Sequence, residues 1–202
     1  MGLGQKGAGD ALKVARKYHT EAQGGAWPTG LAIEAEFFVA RAERTSGGTP
    51  KDFQTKLRDV STKAQSGNVM VANRANVQLA NSLREAKDLE GARKIYEDLA
   101  NKAGVDPSSR AGAFLGLGQL TMDAAAASDK DAFKKALLLF LRVHLETTEA
   151  WPSLHAEALY YAILAADKWR GTDYQHIMAR CRGELYGEYK ESDWAQRAKS
   201  GR

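Results

Sequence analysis

Leu79-Ala80-Asn81-Ser82-Leu83-Arg84-Glu85-Ala86-Lys87-Asp88-Leu89-Glu90-Gly91-Ala92-Arg93-Lys94-Ile95-Tyr96-Glu97-Asp98-Leu99 reads as two helical arms and the turn that joins them. The apolar positions 79, 83 and 92, 96, 99 recur at three- and four-residue steps, the spacing of one helix face. Small residues stand among the large ones. Ala80 on the first arm and Ala92 on the second let two crossed helices approach closely, while Tyr96 and Leu99 fill the space beside them. Asp88-Leu89-Glu90-Gly91 makes the turn.

The same alternation returns further along. Leu117-Gly118 stands where Leu79-Ala80 stood, and Ala136, Phe140 and Val143 answer Ala92, Tyr96 and Leu99. The interval between the small residues grows from 12 to 18 residues, with about Asp123–Ser128 as the extra length. Helix-start signals punctuate the chain at Trp27-Pro28, Ser66-Gly67-Asn68, Asp106-Pro107-Ser108, Trp151-Pro152-Ser153 and Tyr189-Lys190-Glu191-Ser192. From Pro28 through Gly67, Pro107, Pro152 and Lys190 the steps are 39, 40, 45 and 38 residues. A period of that size with turn chemistry at its boundaries marks a stacked array of helical hairpins. One hairpin cannot bury its own apolar face, so neighbours stack and leave an extended surface for something else to occupy.

Between the markers the pattern is helical nearly throughout. Leu12, Ala15 and Tyr18 share a face of a first helix that Gly24-Gly25 ends, and Ile33, Phe37, Phe38, Ala40 and Ala42 belong to a second. Ser46-Gly47-Gly48-Thr49-Pro50 stops that helix, and Phe53, Leu57 and Val60 make one apolar stripe on the next. Asp106 is suited to cap a helix and Pro107 to its first turn. The expected organisation is a single helical-repeat domain over 1–202. Its units are a leading half-unit at 10–27, hairpins at 28–66, 67–106, 107–151 and 152–189, and a closing helix at 190–202.

Residues 75–104 resemble a tetratricopeptide repeat (TPR), and the unit after them keeps its pattern. Tyr189-Lys190-Glu191-Ser192-Asp193-Trp194-Ala195 with Ala198 is similar to the repeat-joining segment of bacterial envelope TPR proteins, with Lys190 in place of its usual proline. The resemblance implies an all-α fold, a TPR-like α-α superhelix of stacked antiparallel hairpins. It also implies that the first helices of successive hairpins line a concave groove. Groove-facing positions are then Arg74, Val77, Asn81 and Arg84, followed by Leu115, Gln119 and Met122. Arg and Asn would hold a peptide's carboxylate or backbone, and Leu and Met its apolar side chains. The family's clamp for chaperone tails needs a lysine one turn before the asparagine. Val77 stands there, so that clamp is not expected.

Composition agrees with a scaffold. Hydrophobic content of 44% and charged content of 27% are ordinary for a globular chain. The net charge of +4 invites a nucleic-acid reading. Residues 1–104 carry 16 Lys/Arg against 12 Asp/Glu and residues 105–202 carry 13 of each, so no basic arm exists. RNA binding by helical repeats is therefore the weaker alternative. Met1-Gly2-Leu3-Gly4-Gln5-Lys6 lacks the apolar core of a secretory signal, and no apolar run, Ala136 to Leu141 among them, comes near the length of a membrane span. A complete chain would be cytoplasmic. A periplasmic or membrane-tethered envelope-assembly adaptor is the reading if a leading segment has been removed.

Catalytic signatures are missing from the pattern. His19, His144, His155 and His176 show no i, i+4 pairing, and no paired-cysteine motif is present, so no metal and no cofactor is expected. His155 with Glu157 reads as a surface histidine, and the single Cys181 as a small half-buried apolar residue. Gly116-Leu117-Gly118 follows no strand and is not a phosphate loop. The aromatic residues Trp27, Trp151, Trp169, Tyr160, Tyr161 and Tyr189 fall at helix junctions and are read as packing anchors. The sequence points to a non-catalytic scaffold whose partner is a protein or peptide, with homo-oligomerisation through an open end of the array as a further option.

Overall fold

The computed structural model describes residues 5–200, the side chains of 5, 6 and 26 apart. The reading of Met1-Gly2-Leu3-Gly4 lies outside the described residues. Among the described residues ten α-helices follow one another: α1 (Gln5–Glu21), α2 (Thr29–Thr45), α3 (Pro50–Ala64), α4 (Val69–Glu85), α5 (Leu89–Asn101), α6 (Pro107–Ala124), α7 (Lys130–Glu146), α8 (Pro152–Trp169), α9 (Tyr174–Gly187) and α10 (Asp193–Ser200). A π-helical turn, Ala22–Ala26, joins α1 to α2. Gly25 takes φ 78° inside it, a left-handed conformation that suits glycine. The described residues contain no strand. Contacts gather the chain into two compact units, Met1–Ala92 and Arg93–Arg202.

Helix starts follow from local chemistry. Thr49, Asn68, Asp106 and Asp129 each accept a hydrogen bond from the backbone N–H three residues on, at 3.1, 3.3, 3.0 and 2.9 Å. Each satisfies one of the amides a helix start leaves without a partner. Pro50, Pro107 and Pro152 sit in first turns, where no N–H is needed. The two Trp-Pro pairs differ by one position: Pro28 is the cap residue of α2, whereas Trp151 is that of α8.

In the first unit α1 packs on α2, α2 on α3 and α3 on α4. Ile33, Phe37 and Ala40 of α2, Phe53, Leu57 and Val60 of α3, and Val71, Ala75 and Leu79 of α4 are its core. In the second unit α6 lies against both α7 and α8, and α8 against α9 and α10. Every residue from Ala111 to Leu120 on α6 is buried. Two glycines allow this. A Cβ at Gly116 would lie 2.2 Å from the Tyr96 ring, and one at Gly118 would lie 2.4 Å from the Phe140 ring. Gly-Leu-Gly is thus a steric motif in which two rings rest on bare helix backbone. The longer second hairpin gains a residue in its first arm, two in the loop and three in the second arm, measured from the small residues outward.

Candidate binding groove

α1 and α2 are antiparallel neighbours. Ser46 Oγ donates to the Ala8 carbonyl at 3.1 Å at one end, and the Tyr18 and Trp27 rings meet at 5.9 Å at the other. Between them runs a groove of about 780 Å³. Alanines (Ala8, Ala11, Ala15, Ala35, Ala42) line it together with Val14, Tyr18, Trp27, Leu31 and Phe38. Four of these are large apolar side chains left open to water: Val14 at 54%, Tyr18 and Leu31 at 48% and Phe38 at 47%. A contiguous apolar patch of this kind is a candidate interaction surface. Covering half of each such side chain contributes on the order of 1 kcal/mol apiece. Asp10, Glu34 and Arg41 supply the charge at its edges.

The opposite side of the α1–α2 seam is polar. Glu43 of α2 is bound by Arg16 of α1 at 3.1 Å and by Lys56 of α3. Two turns earlier, Glu36 meets His19 of α1 at 4.0 Å and Lys63 of α3 at 2.7 Å. Partial burial works against the charge of Glu43. The hydrogen bonds from Lys56 and Arg16 outweigh it and hold the carboxyl below its ordinary range. α1 is therefore fastened by ion pairs on one flank while its apolar flank stays open.

The positions expected to face a groove separate into two kinds. Arg74 is half-buried, and its guanidinium meets Glu34 at 3.4 Å. Asn81 borders a second, polar cleft of about 700 Å³ with Arg41, Arg44, Gln78 and Glu85. Arg84 and Met122 are half-buried. Val77, Leu115 and Gln119 are instead buried, which corrects their placement on an open surface. Val77 turns inward, and the polar cleft is lined one position later, by Gln78. Leu115 and Gln119 lie on the enclosed stretch Ala111–Leu120 of α6, where the Gln119 amide donates to Glu157 at 3.0 Å. The apolar groove itself was missed. Its signal is a second apolar stripe on α2, residues 31, 35, 38 and 42, beside the stripe 33, 37 and 40.

Two other sequence readings change. His155 is buried, not a surface residue, and neither ring nitrogen has a hydrogen-bond partner. Its ring meets His144 edge-on at 5.7 Å and stacks on Tyr189 at 6.4 Å. Burial, reinforced by His144, holds it below the ordinary histidine range against weaker opposing effects of the Thr147 backbone and Glu188. Cys181 is fully buried, and burial, with Glu184 nearby, pushes its thiol up to about 11. It is a protonated packing residue at neutral pH. Among the described residues no three His, Cys, Asp or Glu side chains are grouped to hold a metal ion, and no helix is long and apolar enough to cross a membrane.

No family model and no curated protein matches the chain. Among solved structures it is similar to a crystal structure from Podosopora anserina, a point variant of nearly identical TPR-like repeats named for a kinesin light chain. The two share 13% identity at a TM-score of 0.55, over 95% of this chain and 100% of the other. Helical hairpins with close-packed small residues, a repeat period near 40 residues and this likeness together give the chain an all-α, TPR-like repeat fold.

Proposed function

We propose that this chain is a non-catalytic protein-interaction scaffold and that the groove between α1 and α2 takes the apolar face of a partner polypeptide. The observation that carries the reading is the convergence of Val14, Tyr18, Leu31 and Phe38, all half-exposed, on one groove. A TPR-like repeat fold supports it, since stacked hairpins present such surfaces to peptides and helices. The polar cleft at Asn81, with Arg41 and Arg44, adjoins the groove through Arg41 and would receive polar groups of the same partner.

A displayed library of helical peptides, selected on the full chain, tests this. Phe38→Asp and Leu31→Asp should each weaken the selected binders more than tenfold while circular dichroism stays that of the wild type. Binders that survive both substitutions but fail on Asn81→Ala would move the site to the polar cleft. A selection that yields no binder sensitive to any of the three would reject the reading.

A further inference from the structure

We infer that His155 is a proton-sensitive latch for the C-terminal end of the second unit. A proton on its ring loosens Tyr189 and α10 from α8 and uncovers Tyr160 and Tyr161.

The latch is a small cluster of rings. His155, near the start of α8, is 5% exposed, and neither of its ring nitrogens has a hydrogen-bond partner. A neutral imidazole carries one N–H and one acceptor nitrogen, so this ring is buried at a cost in either tautomer. His144 of α7 lies edge-on to it at 5.7 Å, and Tyr189 stacks on it at 6.4 Å with the rings 10° from parallel. Tyr189 also leads into α10. Its carbonyl accepts from the Ser192 N–H at 2.9 Å, and the Ser192 hydroxyl accepts from the Ala195 N–H at 3.1 Å. Trp194 of α10 then meets Tyr160 at 5.2 Å and Tyr161 at 5.7 Å on α8.

Two protons arriving on this cluster are not equivalent. The first has a place on His144, whose Nε2 lies 3.3 Å from Glu184 of α9, a carboxylate that Arg180 also binds. The second must enter the His155 ring beside that charge. The Thr147 backbone in the α7–α8 turn and Glu188 favour it, but Glu188 is exposed to water, and burial with His144 outweighs both. From α6, Gln119 already engages Glu157, the carboxylate two positions along α8. On α10, the cations Arg197 and Lys199 lie over the rings of Trp194 and Tyr186. A charged His155 is therefore better hydrated than enclosed, and acid favours the state that lets water reach it. The walls of the cluster differ in what they would lose by opening. Phe140 and Val143 of α7 and Ala156 and Leu159 of α8 are at most 2% exposed, whereas Ala195 is the one buried residue in 188–200. The segment that buries least opens first.

Hydrogen exchange on the full chain at about pH 7.5 and about pH 5.5, corrected for the intrinsic pH dependence of amide exchange, tests this. Opening of residues 189–200 should rise up to about tenfold at the lower pH, because a hydrated histidine takes up its proton near 6.5. The buried stretches of α7 and α8 should keep their protection, and His155→Gln should abolish the rise. A rise that survives His155→Gln, one shared equally by α7 and α8, or none in the wild type overturns the inference. Should His155→Gln fail to fold by circular dichroism, ring signals of the wild type followed by NMR through the same pH range decide it. Tyr189 and Trp194 shifting in step with protonation of His155 supports the latch; His155 titrating while both rings stay unmoved overturns it.

Discussion

The pair α1–α2 and the pair α7–α8 are built alike and differ by one helix. Phe140 of α7 lies against Gly118 of α6 and is sealed, at 1% exposure; Phe38 of α2, a different position in its pair, borders the groove and stands half in water. The difference shows that burial in a hairpin array belongs to triplets of helices. A pair supplies a surface, and only a third helix turns that surface into core.

The largest test of this contrast is a pair of truncations. Phe140→Ala should cost about 3–5 kcal/mol by urea denaturation, because it opens a cavity in close-packed surroundings. Phe38→Ala should cost less than about 1 kcal/mol, because half of that ring is already hydrated. Equal costs would mean that the groove is closed in solution. Next in size, Gly118→Ala should lose about 1–3 kcal/mol, since its Cβ would strike Phe140. Gly183→Ala, in α9 with nothing within 4 Å, should gain about 0.5–1 kcal/mol from helix propensity. A neutral Gly118→Ala would show that α6 and α7 can part without penalty.

A smaller effect depends on pH and belongs to the second unit alone. His155 is held below the ordinary histidine range when folded, so the unfolded chain binds its proton more readily. Its contribution is complete above the unfolded value of about 6.5 and is lost as pH falls from there towards the folded value. Carboxylates held low, Glu43 and Glu146, lose their contributions only below the ordinary glutamate value of 4.5. A fall in melting temperature between about pH 6.5 and 5 therefore reports on His155, and His155→Gln should flatten it. If the variant keeps the wild-type slope, the acid sensitivity arises elsewhere.

Much of the architecture was legible because its signals are local. The cap at Asp106, proline in first turns and glycine at helix ends act within a few residues of themselves. The small residues Ala80, Ala92, Gly118 and Ala136 announce close approach whichever helix is the neighbour. The site was less legible. Arg74, Asn81 and Arg84 were placed near a surface by register, but Val77 turned inward because an apolar side chain gains more from burial than from a groove. Leu115 and Gln119 were sealed on α6 by packing that includes the next two helices, α7 and α8. His155 is polar by composition and buried by the junction of α7, α8 and the segment at Tyr189.

By itself the sequence determined that the described chain is helical, roughly where each helix begins and ends, and which positions must be small. Those properties follow from backbone conformation and from side-chain volume, which each residue carries with it. Tertiary structure alone decided which of α2's two apolar faces is covered. Ile33, Phe37 and Ala40 are enclosed, while Leu31 and Phe38 wait on a groove. The hydrophobic effect drives both faces equally out of water, and only the placement of neighbouring helices determines which one is satisfied within the chain.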